Sequence, residues 1–467
     1  MSCFGKWILA AICSAASLQA QVSLAFGDTF GVLLKGDGTV WSWDGDSKGL
    51  EQVPGLERMR NVAAGESSTL ALKSDGTVWT REHSSAEPAL VSGLSGIVAI
   101  AAAGRHFMAL DSQGVVWGWG EVPNRSSVPT PTQVTGLPKI VAIGAGDQHS
   151  IAIDHSGQVW VWGDHGAGDL GDHCYNLSNV PQKMRGFTDM KAVAGGYQLT
   201  LGLKKDGTVW AIGYGAAGQM GNGKLDSSTN PVMVRGLTGV KAIAARYMNA
   251  IALKADGTVW GWGSNHYHEL GNPAVGSEEV SKPVRAGTLT GAEAIASGGS
   301  HSAAVTGKGV VWTWGDNQNG ALGADSEALE RSDTPMQPGQ EIPPPCQVLF
   351  ACLTKGGKVI RICGTQDQSD PGKWTGIHYR YGPESGPPDF MFPAKPDTAP
   401  PSLFFSPDGA VRFSNGGYRY RVLDGVMVQD AKGKTVANIS CDERPQMYFD
   451  YLKENLPAYR PATSLSR

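Results

Sequence analysis

The sequence predicts an all-β chain, a seven-bladed β-propeller followed by a small disulfide-containing β-rich domain, and three observations carry that expectation. One short pattern, clearest in Lys254-Ala255-Asp256-Gly257-Thr258-Val259-Trp260-Gly261-Trp262-Gly263, recurs around Trp41, Trp79, Trp117, Trp160, Trp210 and Trp312. The copies are flanked by further short apolar runs, and self-similarity at such a period marks a repeat architecture. The pattern stops at Pro343-Pro344-Pro345, beyond which the cysteines concentrate.

Within a unit, an alternating run such as Ala250-Ile251-Ala252-Leu253 leads through a turn dipeptide into Thr-Val-Trp. The dipeptide is Asp37-Gly38, Asp75-Gly76, Asp206-Gly207 or Asp256-Gly257, relaxing to Gln113-Gly114, Ser156-Gly157 and Lys308-Gly309. Flanked by alternation, Asp-Gly predicts a hairpin closed by a type I′ turn, with positive φ at both central residues. Valine, threonine and tryptophan suit the half-buried strand that follows. A further strand is expected ahead of the hairpin, in Val62 to Gly65, Val98 to Gly104, Val141 to Gly146 and Ala294 to Gly299. Its small side chains fit the crowded axis of a propeller. Another follows the hairpin, as in Pro131-Thr132-Gln133-Val134, Pro231-Val232-Met233-Val234 and Pro283-Val284-Arg285. Proline cannot donate to a ladder, which places that strand at the exposed edge. Four strands in each of seven units make a radial propeller.

The repeating tryptophans are 38, 38, 43, 50, 50 and 52 residues apart. The longer units add a loop after Trp-Gly or its equivalent: Asp164 to Gly171, Tyr214 to Gly221, Ser264 to Gly271 and Asp316 to Gly323. These fit Gly-x-x-x-x-Gly-x-Leu-Gly, with Met220 and His268 as exceptions. Together with Asp-Gly-Thr-Val-Trp-x-Trp-Gly, they make residues 22–339 closely resemble the regulator-of-chromosome-condensation repeat family. The resemblance implies seven blades, with the first and last units meeting to close the ring. That family includes a nuclear exchange factor for a small GTPase, a plant UV-B photoreceptor and a secreted bacterial β-lactamase inhibitor, so the fold alone does not choose a function. The photoreceptor's Gly-Trp-Arg-His-Thr repeat is absent, Gly104-Arg105-His106 being a faint echo, and the tryptophans other than Trp7 and Trp374 read as blade-packing core.

A net charge of −4 over 467 residues gives no electrostatic footprint for DNA or an anionic membrane, and no nucleic-acid partner is expected. Residues 1–20 read as a signal peptide: Lys6 supplies the positive start, Trp7 to Leu18 the apolar stretch, and Ala20 a small residue before the cut. Leu18 departs from the ideal Ala-x-Ala, and the competing reading is a retained membrane anchor. No other stretch is long and apolar enough to span a bilayer. The expectation is a secreted or periplasmic monomer whose propeller occupies residues 21–339.

Residues 340–345 read as a Pro-rich linker, 346–460 as a small β-rich module and 461–467 as a disordered tail. Val348 to Thr354 and Lys358 to Cys363 form a hairpin about Gly356-Gly357. Further strands are expected at Ile377 to Tyr381, Val411 to Ser414, Tyr418 to Val422 and Thr435 to Cys441, with a short helix at Met447 to Asn455. Through Leu349-Phe350-Ala351-Cys352, His378-Tyr379-Arg380-Tyr381-Gly382 and Ala437-Asn438-Ile439-Ser440-Cys441, the module resembles a secreted bacterial domain of no known activity. Cys346, Cys352, Cys363 and Cys441 are an even set allowing three pairings, and an oxidising compartment would let them persist as disulfides. The hairpin favours Cys352 with Cys363, leaving Cys346 with Cys441; the alternative is four reduced, buried cysteines.

Chemistry is thinly signalled. Gly45-Asp46-Ser47-Lys48-Gly49 spells a nucleophile elbow, which needs a strand before it and a helix after it, and Leu50 to Gly55 is no helix. Asp164, His165, Asp169, Asp172, His173 and Cys174 are the densest run of metal-ligand types, with His266 and His268 in the equivalent region two units on. Zinc would need three or four such groups converging, and solvated loop side chains are the simpler reading. His106, His149 and His301 recur at one place after the inner strand, and their periodicity argues for a structural hydrogen bond. No catalytic residue, metal or cofactor is expected.

What remains is loop asymmetry. Units four to seven carry the long loop on one face and units one to three do not, and loops on a rigid scaffold are where function usually sits. The expectation is therefore an exported, non-enzymatic protein-binding scaffold. Its candidate binding residues are Asp164, His165, Asp169, Tyr214, Asn265, His266, Tyr267, Asp316 and Asn317, and its partner is another extracytoplasmic protein. A narrower form, implied by the resemblance alone, is inhibition of an extracellular or periplasmic enzyme of the β-lactamase or cell-wall transpeptidase type. The third reading is a glycan- or peptide-processing enzyme; converging carboxylates in the central cleft would favour it, and a bare Ala/Gly-lined channel would count against it.

Overall fold

The computed structural model describes residues 22–44, 49–83, 87–121, 127–164, 177–326 and 329–339. It also describes the strands 347–353, 359–367, 370–382, 390–392, 404–405, 411–415, 418–422, 425–429 and 435–440. Seven four-stranded antiparallel sheets occupy 23–52, 59–90, 97–133, 140–183, 190–233, 240–285 and 292–336, each with its strands in chain order. This is a seven-bladed propeller. Blade 6 shows the plan, with strands Val240–Arg246, Asn249–Lys254, Val259–Gly263 and Val280–Arg285 from the axis outward. Its second strand is buried up to Lys254, while the alanines of its inner strand are half-buried along the axis.

The hairpin turn departs from the type I′ expectation. Gly38 N donates to Lys35 O at 2.9 Å and Lys35 N donates to Thr39 O at 3.0 Å. Gly38 has a φ of 84°, whereas Asp37 is not among the residues with positive φ. The geometry is a type I turn followed by a glycine bulge, a three-residue loop. The cause is local: Asp37 Oδ1 accepts from both Thr39 N, at 2.9 Å, and Thr39 Oγ1, at 2.6 Å. The Trp41 indole then donates to Thr39 Oγ1 at 2.9 Å. The same chain of bonds recurs through Asp75, Asp206 and Asp256. The repeated Asp-Gly-Thr-Val-Trp is thus a self-bonded unit that fixes the register of each hairpin.

Threonine's hydrogen bonds hold these aspartates below their ordinary pKa. A depressed acid contributes stability above its unfolded pKa and loses it as the pH falls through the folded one. Asp256→Ala is accordingly expected to lower Tm at neutral pH, with a deficit that shrinks once the pH drops below the ordinary aspartate value of about 3.9. A deficit independent of pH in thermal melts would remove the carboxylate turn as its cause.

Blades pack through shared apolar clusters. Leu201, Ala211, Met220 and Val234 of blade 5 meet Ala250, Ala252 and Trp262 of blade 6. The ring closes in the same way, with Leu24, Phe26, Leu33 and Trp43 of blade 1 against Ala296, Ala303, Val305 and Val311 of blade 7. Among the described residues no strand is exchanged at this closure.

A second unit begins at Pro343. It holds a four-stranded antiparallel sheet from Gln347–Leu353 to Phe390–Phe392 and a five-stranded one from Phe404–Phe405 to Thr435–Ser440. Cys352 pairs with Ile360 and Cys363 with Val348, so these two cysteines sit on facing strands but not opposite one another. Their side chains, Cys346, Cys441, the expected helix at Met447 to Asn455, the segment 1–20 and Ser47 lie outside the described residues. No helix among the described residues is long and apolar enough to cross a membrane.

Candidate functional site

Antiparallel pairing brings two sets of connections to one face. Gly120 lies opposite His106 and Gly263 opposite Asn249, so the third strand ends where the second begins and the inner strand stops. Around the axis, backbone bonds tie successive inner connections together. Asp28 N donates to Glu66 O at 3.0 Å, Glu66 N to Gly104 O at 2.6 Å, Asp147 N to Gly196 O at 3.4 Å and Tyr197 N to Tyr247 O at 2.7 Å. This closeness requires glycine at position 104, where φ is 51° and a Cβ would stand 2.6 Å from Asp147 O.

The mouth of the channel is occupied by one arginine. Arg246 ends the inner strand of blade 6, is 4% exposed, and reaches across the axis. Its Nη1 donates to Phe26 O at 2.7 Å and its Nη2 to Asp28 Oδ1 at 2.6 Å, both in blade 1. Its Nε faces Asp147 Oδ1 of blade 4 at 3.7 Å, and Tyr247 N donates to Asp147 Oδ2 at 2.9 Å. Burial pushes both carboxyls above their ordinary pKa, with Arg246 opposing the shift. The channel is therefore not a bare wall of alanine and glycine. The converging carboxylates that would favour an enzyme are present, yet one guanidinium engages both. Such a cluster braces three blades, whereas acid–base work needs a proton within reach of a substrate.

From this mouth a cleft of about 660 Å³ runs outward between blades 3 and 4. Phe107, Trp119, Trp162 and Val180 line it, and Phe107 stacks on Trp119 with ring centroids 5.7 Å apart. Arg105 stands at its rim, 58% exposed, with Nε and Nη2 on the two oxygens of Glu66 at 2.7 and 3.1 Å and Nη1 on Glu121 at 3.2 Å.

The candidate loop residues divide by environment. Asn265 and Asn317, expected to face a partner, are buried instead, at 1% and 0% exposure. Asn265 Oδ1 accepts from Leu270 N at 3.1 Å and its Nδ2 donates to Gly276 O at 2.6 Å. Asn317 repeats this with Leu322 N at 3.0 Å and Leu329 O at 2.7 Å. Loop interiors need such internal bonds because their backbone groups have no ladder to satisfy them. His266 and Tyr267 are exposed, and His266 lies 3.3 Å from Glu279. Tyr214 and Asp316 are half-buried. Asp164 ends the strand Val159–Asp164, while His165, Asp169, Asp172, His173 and Cys174 lie outside the described residues. Among the described residues no group of three or more His, Cys, Asp or Glu could hold a metal.

The recurring histidines link neighbouring blades. His149 Nε2 meets Thr200 Oγ1 of blade 5 at 3.0 Å, and the His301 ring packs edge-on against Phe26 of blade 1 at 4.3 Å. In blade 6 the same place holds Asn249, which accepts from Ser297 Oγ and donates to Gly299 O of blade 7 at 3.3 Å. Burial lowers His106 to about 4 and His301 to about 3. The expected hydrogen bond is thus met by His149, while His301 serves mainly by packing.

The family model for the RCC1-like domain matches residues 13–352. No curated protein sequence matches the chain. Among solved structures, yeast RCC1 (Prp20) bound to Kap60 aligns with 20% identity and a TM-score of 0.58, over 72% of this chain and 89% of that one. Prp20p from Saccharomyces cerevisiae aligns with 22% identity and a TM-score of 0.55, over 62% and 80%. Human WBSCR16 aligns with 20% identity and a TM-score of 0.55, over 62% and 87%. Likeness at these identities speaks for the fold.

Proposed function

The chain belongs to the RCC1-like domain family, and from that premise we propose that it is an exported, non-enzymatic scaffold that docks another protein on the face carrying the cleft. The carrying observation is the cleft itself: an aromatic floor of Phe107, Trp119 and Trp162 beneath the charged rim of Arg105, Glu66 and Glu121. Aromatic anchors and arginine at the centre of a patch are the residue types that dominate protein-interface energetics. Prp20 is described together with Kap60, with Gsp1p and with histones, which supports a docking role for propellers of this family without naming a partner here. Export rests on Lys6, the apolar stretch Trp7 to Leu18 and Ala20, and makes the partner an extracytoplasmic protein. Inhibition of an extracellular enzyme is one form that such docking would take.

The test uses two surface variants, Arg105→Glu and Val180→Asp, at residues 58% and 66% exposed. The wild-type protein is expected to retain a partner from envelope or supernatant fractions at stoichiometric level. Both variants are expected to bind that partner at least about tenfold more weakly, the effect of losing a hot-spot contact. Tm should be unchanged in Val180→Asp and modestly lowered in Arg105→Glu, which gives up its pairs with Glu66 and Glu121. A partner indifferent to both changes would place docking elsewhere.

A further inference from the structure

We propose that the cleft between blades 3 and 4 is a seat for a turn of the partner protein carrying a leucine or methionine, received as blades 5, 6 and 7 receive the chain's own loops. The inference rests on the docking function and specifies its chemistry.

In blades 5, 6 and 7, the connections 214–227, 264–279 and 317–330 each insert one aliphatic side chain, Met220, Leu270 or Leu322, all 0% exposed. The carbonyl one residue earlier accepts the indole N–H of the next blade's second tryptophan. Gln219 O takes it from Trp262 at 2.9 Å, Glu269 O from Trp314 at 2.7 Å and Ala321 O from Trp43 at 2.9 Å. The seat under each inserted side chain uses repeat positions. Leu270 Cδ2 lies 3.1 Å from where a Cβ on Gly261 would be, beside Ile251, and Met220 packs with Val234 and Trp262.

In blade 3 the equivalent connection is residues 122–126 alone, and the equivalent seat lines the cleft: Met108, Gly118, Val134 and Trp162. Register fixes the correspondence. Met108 pairs with Gly118 as Ile251 does with Gly261, and Val134 N donates to Val116 O as Val234 N does to Val209 O. Above Gly118 a Cβ would meet, among the described residues, only Val134 Cγ2 at 3.5 Å and Phe107 O at 4.0 Å, with no inserted side chain from them. Trp162 keeps 7% exposure, against 0% for Trp43, Trp262 and Trp314. Among the described residues its indole N–H has no acceptor. An apolar seat and a donor beside it are thus both unmet, in the geometry that three loops of the same chain satisfy.

The occupant's backbone follows from those loops. The residues two before and one after the inserted side chain have positive φ: Gly218 and Gly221, His268 and Gly271, Gly320 and Gly323. The fitting partner segment is a Gly-x-Leu-Gly or Gly-x-Met-Gly turn, because glycine adopts that region without steric cost.

The full-length protein is titrated with a cyclic peptide copying Asp316 to Gly323, read by tryptophan fluorescence and by isothermal calorimetry. Saturable binding is expected. It should weaken at least about tenfold when the peptide's leucine is replaced by aspartate, and equally in Gly118→Leu, whose side chain fills the seat. The space above Gly118 lets that variant keep its Tm, and the aspartate peptide gives an independent reading on the wild-type protein. No saturable binding at millimolar peptide, or equal binding by the aspartate peptide, overturns the inference. A captured partner sensitive to Arg105→Glu and Val180→Asp but indifferent to Gly118→Leu would also overturn it, while leaving docking on this face intact.

Discussion

Arg246→Met is expected to destabilise the propeller by about 3–5 kcal/mol at neutral pH, the cost of leaving buried charges without their partner. Asp28 and Asp147 would lose the guanidinium that compensates them, and the brace joining blades 1, 4 and 6 would lose its hub. The deficit should depend on pH in a definite direction. Burial already holds both carboxyls above their ordinary pKa, so the folded state binds protons more readily than the unfolded chain, and the stability they contribute falls as the pH rises. Removing Arg246 raises them further. The deficit is therefore fullest above the folded pKa values and shrinks on acidification as the carboxyls protonate. His106 and His301, held neutral by burial, destabilise the fold below about pH 6.5 in both proteins. The His106 loss is shared and cancels in the comparison, whereas Arg246 also depresses His301. Relief of that imidazole adds to the shrinking deficit below about pH 6.5, and the amide variants separate it from the carboxyls. Thermal and denaturant melts across the acid range check the direction. Adding Asp28→Asn and Asp147→Asn to Arg246→Met should restore most of the lost stability. A deficit constant with pH and unmoved by the amides would reduce Arg246 to a space-filling role.

The seven blades were legible because their instructions are local. Asp, Thr and Trp within a few residues bond one another, so the repeat states its hairpin wherever it occurs. The turn type was misread for the same reason: the threonine bonds to the aspartate carboxylate decide the geometry, and the Asp-Gly preference considered alone does not include them. The mouth of the channel was illegible because Arg246 is 218 residues from Asp28 and Tyr247 is 100 from Asp147, groups that meet only when the ring closes. One signal was available. Gly27, Gly65, Gly146, Gly196 and Gly298 end the inner strands of blades 1, 2, 4, 5 and 7 and Ala103 holds the same place in blade 3, whereas Arg246 stands there in blade 6. The loop asymmetry was visible in the sequence, but its physical sense was not. The long loops spend Asn265, Asn317 and their aliphatic side chains on clamping the next blade's tryptophan, and the recess opens where a loop is missing.

Trp43→Ala and Trp262→Ala remove the same contact from two seams, and only the first is expected to open the ring. Each tryptophan is 0% exposed and donates its indole N–H to a carbonyl of the preceding blade at 2.9 Å. Truncating a buried aromatic costs about 3–5 kcal/mol in either place. The seams differ in connectivity. Blades 5 and 6 are joined by the short segment 234–239, which keeps them adjacent after the side chain is lost. Blades 7 and 1 are the two ends of the propeller and, among the described residues, share no strand, so the seam relies on the apolar cluster packed across it. Once parted, they can rejoin only by paying the closure entropy of the intervening chain. Hydrogen exchange should therefore quicken at Ser23–Phe26 and Ala292–Ser297 in Trp43→Ala, as a local opening below the global unfolding energy. Trp262→Ala should leave those strands protected. Because Arg246 also grips Phe26 and Asp28, combining Arg246→Met with Trp43→Ala should give a loss different from the sum of the two, the mark of sites sharing one structural element. Opened edges can template association, so concentration-dependent aggregation should accompany the Trp43 variant first. Equal protection at the 7–1 seam in the two single variants would mean that closure is as strong there as between blades joined in sequence.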